Sequence, residues 1–166
     1  MGAFLNELRA ELVRGCNLRS HVTLLPPRLL ASAPEVLTHE LARRIPCLRS
    51  FDITLGDIEI FDSTGVIYLG LRRGERELRE MHDRLSEGVF AFDEPFPFHP
   101  HITLAQEIPA DRRQEYLNHA QARWRACPHD RTFTITDLTF VRNVNRTRWD
   151  ALSEYVLQPA RLRRTA

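Results

Sequence analysis

His21-Val22-Thr23-Leu24 and His101-Ile102-Thr103-Leu104 repeat one phrase: an imidazole, an apolar residue, a hydroxyl and a second apolar residue. No other histidine of the chain has threonine two positions on. A single copy reads most simply as His and Thr on the solvent face of an ordinary strand. With seven His and eleven Thr in 166 residues of 43% apolar content, one tetrad arises by chance roughly one time in ten, and two together in about half a per cent of chains. The pair therefore carries a signal that either copy alone does not. Its chemistry is phosphodiester cleavage or formation: in-line displacement at phosphorus needs one group to take a proton from the nucleophile and another, opposite, to protonate the leaving oxygen. Imidazoles titrate near neutrality and can hold opposite protonation states at working pH. The Thr hydroxyls can hydrogen-bond the non-bridging oxygens as charge develops. That scheme requires neither metal nor cofactor. His99-Pro100-His101 together with His21 forms the rival reading, a metal-assisted hydrolase, but neither a helical H-x-x-x-H nor a carboxylate cluster accompanies them.

Strand geometry has to position such residues. Side chains alternate along a strand, so each tetrad can root its apolar pair in a core and turn His and Thr together to the other face. Helical spacing of Phe4, Leu5, Leu8 and Leu12 predicts a first helix over about Ala3–Arg14, with Gly15 as its stop and a strand at Ser20–Leu25 ended by Pro26-Pro27. Ser32 and Glu35 have capping-box spacing for a second helix running to about Arg44. Strands follow near Phe51–Phe61 and Val66–Leu71, joined by the turn Asp62-Ser63-Thr64-Gly65. Leu78, Met81 and Leu85 mark a third helix that Gly88 can end, and Pro109 opens a fourth with Tyr116, Leu117, Ala120 and Trp124. Two strand-like runs close the chain, Thr132–Arg142 and about Trp149–Leu157. Each half contributes helices, a hairpin and one tetrad, which predicts an α+β fold with antiparallel sheets and helices outside.

The two H-x-T-x tetrads, with the flanking Leu25-Pro26-Pro27 and Phe98-His99-Pro100, resemble the signature of the two-histidine phosphoesterases, in particular the 2′-5′ RNA ligase-like and 2′,3′-cyclic phosphodiesterase branch. Phe133 to Leu157 is similar to that branch's closing strands. The resemblance implies one domain over residues 1–166, built of two pseudo-symmetric lobes that each contribute one tetrad to a central cleft. It implies an enzyme acting on RNA or nucleotide 2′,3′-cyclic phosphates or 2′-5′ phosphodiesters, by hydrolysis or ligation, with His21, Thr23, His101 and Thr103 as its catalytic residues. A non-catalytic nucleotide or RNA-end binding protein using the same cleft is the alternative, because a shared fold and site do not guarantee turnover. Such proteins usually begin with a hydrophobic strand, whereas this chain enters helical spacing at once. A sheet edge left open by that difference would invite pairing with another chain, so a homodimer is an expectation.

Further substrate contacts are candidates only. Arg28 follows the first tetrad closely enough to reach a phosphate, although a solvated Arg beside a helix start is the simpler reading. Arg142 leaves the apolar run Leu138–Val141 towards the same cleft. Phe61 and Tyr68 flank the hairpin turn and can stack a base, as can Phe98, although aromatics in strands more often fill a core. His39, His82, His119 and His129 read as surface residues.

Composition bounds the partners. Net charge is +1, so no polybasic field for duplex nucleic acid is present, and a small nucleotide or single-stranded RNA end fits better. Lysine is absent and arginine carries all the fixed cationic charge, a bias that a GC-rich genome also produces. Cys16, Cys47 and Cys127 are odd in number and widely spaced, as free thiols of a reducing compartment are. With neither a leader pattern nor a membrane-length apolar run, the expectation is a cytoplasmic protein without a membrane partner.

Overall fold

A computed structural model describes residues 1–16, 18–145 and 148–160. Helix α1, Gly2–Leu12, buries Phe4, Leu5, Leu8 and Leu12 on one face. Its last turn gives way at Val13, and Gly15 turns the chain with a positive φ of 79°. The predicted strand at Ser20–Leu25 does not form: Val22 alone makes an isolated antiparallel bridge, to Ile102. Prolines 26 and 27 have no N–H to extend a ladder, so pairing stops where it starts.

Helix α2, Pro34–Arg44, starts one residue later than a capping box at Ser32 requires. Its N-cap is Ala33, with no side-chain cap, and Pro34 stands at the first helical position, where its fixed φ already suits a helix. A single 3-10 turn, Ile45–Cys47, carries Pro46. Strands β1, Phe51–Ile60, and β2, Ile67–Arg73, form the expected hairpin, closed by the Gly65 N–H on the Phe61 carbonyl at 2.7 Å. Gly65 holds φ at 71°, a left-handed conformation that favours glycine. A bulge in β1 sets Gly56 against Gly70, where an added Cβ on Gly56 would lie 3.2 Å from the Gly70 carbonyl oxygen. Helix α3, Glu75–Leu85, turns Leu78, Met81 and Leu85 inward, as predicted. The second tetrad runs into β3, Ile102–Ala105, and α4, Arg113–Arg125, follows a 3-10 turn after Pro109. Trp124 locks α4 onto the bulge, donating its buried indole N–H to the Gly56 carbonyl at 2.9 Å.

Thr132–Arg142 is two strands, not one. Strand β4, Thr132–Ile135, pairs with β1, whereas β5, Asp137–Asn145, pairs with β6, Arg148–Val156. The chain changes sheets at Thr136, where the apolar alternation also changes phase, from Phe133 and Ile135 to Leu138 and Phe140. The result is α+β: a four-stranded antiparallel sheet ordered β3-β2-β1-β4 and a separate β5–β6 hairpin. Two apolar clusters hold them. One joins α1 and α4 to the larger sheet through Leu8, Ile53, Leu69, Leu104 and Trp124. The other joins α2 and α3 to the hairpin through Leu41, Met81, Phe90 and Leu157, and Phe51 and Ile135 pack on both. No helix among the described residues is long and apolar enough to cross a membrane.

Candidate active site

The Val22–Ile102 bridge sets the register of everything around it. Ile102 also pairs with Leu69, and Leu69 with Ile58, so Val22, Ile102, Leu69 and Ile58 form one cross-strand row packed into the first apolar cluster. Antiparallel pairing at 22 and 102 puts residue 21 opposite 103 and 23 opposite 101, on the other face. Each histidine therefore neighbours the other tetrad's threonine. The two histidines lie on a diagonal, a relation that separates positions by roughly 7–8 Å. Tyr68 continues the row beside Thr103, and Glu59 beside Tyr68.

Both rings are tied by the same device. His21 Nδ1 lies 2.7 Å from the Arg19 carbonyl oxygen, and His101 Nδ1 lies 2.6 Å from that of His99, in each case two residues upstream. A carbonyl only accepts, so Nδ1 carries the proton and Nε2 is the free acceptor of the neutral ring. Thr103 Oγ1 lies 3.1 Å from His101 Nε2 and donates to it. Burial pushes His21 below the ordinary histidine range, the Arg19 carbonyl opposes the shift, and the charge of Arg9 adds to it. Burial likewise lowers His101 against the pull of the His99 carbonyl, with His99 and His21 adding to the shift.

Aromatic rings flank the pair on both sides. Trp149 of β6 packs on His21 with centroids 4.9 Å apart. Phe61 and Tyr68 stack on each other at 4.0 Å and meet His101 edge-on at 5.2 and 5.3 Å. Tyr68 is buried and donates its hydroxyl to Glu59 at 3.2 Å, which leaves half-buried Phe61 as the more accessible ring.

Other predicted contacts are engaged elsewhere. Arg28 is neither solvated nor free for a phosphate: its side chain is 3% exposed and donates to Glu94 at 2.6 Å and to the Pro26 and Phe90 carbonyls at 3.0 Å. His82 is not a surface residue, since it meets Glu94 at 3.0 Å and stacks on Phe98 at 4.1 Å. Phe98 is thereby held against α3. Arg142 is exposed and reaches across its hairpin to Asp150 at 3.4 Å. His39 and His129 are exposed, and His119 meets Glu11 at 2.9 Å on the surface. Cys16, Cys47 and Cys127 are free. No group of three or more metal-ligating side chains converges among the described residues. Two neighbours of the pair, Trp149 and Arg9, are absent from the sequence-derived site. Arg9 was visible there as a charge inside the apolar stripe of α1.

The family model of the 2′-5′ RNA ligase superfamily matches residues 3–147. The chain belongs to that superfamily. Its curated relatives include "Putative phosphoesterase OB1230" of Oceanobacillus iheyensis, 30% identical over a 108-residue alignment that covers 60% of this chain and 63% of the relative. A second, named as a phosphoesterase in the same terms, comes from Geobacillus thermodenitrificans and is 29% identical over 54% of this chain and 57% of its own. The match thus spans about three fifths of these relatives' length. Among solved structures, the superfamily fold is seen in Escherichia coli LigT complexed with ATP, at a TM-score of 0.63 and 24% identity, covering 95% of this chain and 93% of LigT. LigT complexed with 3′-AMP gives 0.58 at 22% identity, over 92% of each chain.

Proposed function

We propose that this chain is a metal-independent phosphoesterase that acts on 2′,3′-cyclic phosphates or 2′-5′ phosphodiesters of RNA ends or small nucleotides. The observation that carries the reading is the crossed pairing of the tetrads, with both Nδ1–H groups tied back to carbonyls and both Nε2 atoms left as acceptors, that of His101 accepting from the Thr103 hydroxyl in the free protein. One Nε2 takes the proton of the attacking water, and the other protonates the departing ribose oxygen; in ligation the same two steps run backwards. Both rings favour the neutral form in the free protein, which suits the base. The acid gains its proton as the phosphate anion arrives, because a nearby negative charge favours imidazolium. Thr23 and Thr103 then donate to the non-bridging oxygens, and Phe61 offers an aromatic platform for a base. LigT bound to ATP and to 3′-AMP supports a nucleotide as the ligand class.

The tetrads come, on this reading, from two lobes of one cytoplasmic domain spanning 1–166. A homodimer would form along β4, the outer strand opposite β3 in the larger sheet, and a monodisperse monomer in light scattering over a wide concentration range counts against it.

Turnover of the four nucleoside 2′,3′-cyclic monophosphates and of a short RNA ending in a cyclic phosphate tests the proposal, with EDTA present, for wild type and His101→Ala. Activity abolished by the substitution, with a bell-shaped pH–rate profile, is the expected result. Binding of these ligands by a wild type that never turns them over would replace the enzyme with a binding protein.

A further inference from the structure

Arg9 is the anomaly of this chain's charges. It sits in the apolar stripe of α1 among Leu5, Leu8 and Leu12 and is 6% exposed. Several other arginines answer to carboxylates, as Arg28 does to Glu94, Arg123 to Glu11 and Arg79 to Glu75, while Arg49 and Arg131 donate to carbonyls and Arg113 also buries an unpartnered Nε. Arg9 has no carboxylate partner among the described residues. One terminal nitrogen donates to the main-chain carbonyl of Thr103, the other to Cys16 Sγ at 3.6 Å, and Nε–H is buried without a partner. A guanidinium does not shed its proton in a protein, so the positive charge is permanent. Burying it unpaired is strongly unfavourable unless something offsets it.

Its position indicates what does. The Thr103 carbonyl belongs to β3, and residue 103 stands opposite residue 21 in the bridged register. Arg9 therefore lies beneath the strand that carries the second tetrad and within electrostatic reach of the first, where its charge helps to hold His21 below its ordinary range. From the elements packed around His21, Arg9 of α1 is the charge that acts on it, while His101 across the bridge feels His21 and Trp149 of β6 carries no charge. His101 in turn feels His99. Glu59, further along the same cross-strand row, is exposed and accepts from the Tyr68 hydroxyl, so Arg9 and the two histidines have no anionic partner of their own among the described residues. A phosphodiester supplies one.

We propose that Arg9 is a positioning residue of the two-histidine site, a fixed buried cation beneath the bridged tetrads that favours the entry of a phosphate anion. The inference rests on the phosphoesterase reading, because it is a substrate phosphate that completes the charge balance. Arg9 acts from beneath the sheet and through the field, so its removal affects proton affinity and anion binding before geometry.

The test compares Arg9→Met, which keeps most of the volume and loses the charge, with Arg9→Lys, which keeps the charge. Two readouts need no turnover: the NMR titration of the His21 Hε1 resonance, and the affinity for inorganic phosphate followed on the same resonance. In Arg9→Met the His21 midpoint moves up and phosphate binding weakens roughly tenfold. In Arg9→Lys both stay near wild type. Should Arg9→Met fail to fold, Arg9→Gln carries the same test, since its amide still donates to the Thr103 carbonyl. An unmoved His21 midpoint and unchanged phosphate affinity in a folded, charge-free variant overturn the proposal. The two readings fail separately. Turnover of cyclic phosphates together with an unmoved midpoint sinks the role of Arg9 alone, while the predicted shift in a protein that turns nothing over sinks the phosphoesterase reading and leaves Arg9 as the anion's counter-charge.

Discussion

His101-Ile102-Thr103-Leu104 and His21-Val22-Thr23-Leu24 are the same phrase built on unequal supports. The second enters a regular strand whose Ile102, Leu104 and Ala105 are all buried. The first meets the sheet at Val22 alone, and its downstream end is held instead by Arg28, whose guanidinium joins the segment after the first tetrad to Glu94 on the loop before the second. Both histidines are nevertheless tethered alike, through Nδ1 to a carbonyl two residues upstream. Ring orientation is thus a local property that needs no strand, while the placement of one ring against the other depends on a single cross-strand bridge and a buried ion pair.

The largest test of that equivalence is chemical. His21→Ala and His101→Ala should each lower kcat/KM on a cyclic phosphate by about a thousandfold, within the range general acid–base groups supply. The double variant should fall little further, because residues that act as one unit are not additive. Steady-state kinetics on the three proteins decides: a first-tetrad variant that keeps most of its activity would break the symmetry of roles.

Next in size is the support that only the first tetrad uses. Glu94→Gln leaves the nearly inaccessible Arg28 charge without its counter-ion and should cost about 3 kcal/mol of stability. Urea unfolding measures it, and the His21 Hε1 resonance should move more than that of His101. Equal movement of both would show that the clamp serves the whole molecule and not the first tetrad.

These supports were unevenly legible in the sequence. A two-residue His–Thr spacing is a strand's own period, and Leu78, Met81 and Leu85 are a helix's, so those elements could be read locally. The sheet change at Thr136 was also written there, as the phase shift between Ile135 and Leu138, but the eleven residues Thr132–Arg142 read as one run. Arg28 and Glu94 are 66 positions apart, and no local pattern pairs them; Arg28 therefore looked solvated and His82 looked like a surface residue. Phe98 looked available for a base because nothing nearby in sequence announced the ring that covers it. The missing first strand has the same cause: whether Ser20–Leu25 forms a ladder depends on how long β3 is and how soon two prolines follow.

A smaller effect separates the hydroxyls. Thr103 donates to His101 Nε2, whereas the structure shows no matching contact for Thr23 among the described residues. Thr103→Val should therefore lower kcat about a hundredfold, the low end of what a lost transition-state donor costs. Thr23→Val should cost about tenfold, with KM little changed in either. Equal losses would mean that the hydroxyl–imidazole contact of the free protein has no bearing on turnover.

The smallest effect is on stability against pH, and it tests whether the two rings share one environment despite their supports. Burial is the leading cause that lowers both. Between the depressed folded value and the ordinary value near 6.5, the unfolded chain binds protons that the folded chain does not. Stability contributed by the neutral rings is therefore complete above about pH 6.5 and lost as the pH falls below it. The loss levels off once the folded state titrates too. His21→Gln and His101→Gln should each flatten the fall of Tm between pH 6.5 and 5, by similar amounts. Salt should change this little, because ions neither reach buried Arg9 nor rehydrate a half-buried ring. A wild-type Tm that is flat across that window, or a flattening confined to one variant, would mean that the weaker support of the first tetrad also lets water reach its imidazole.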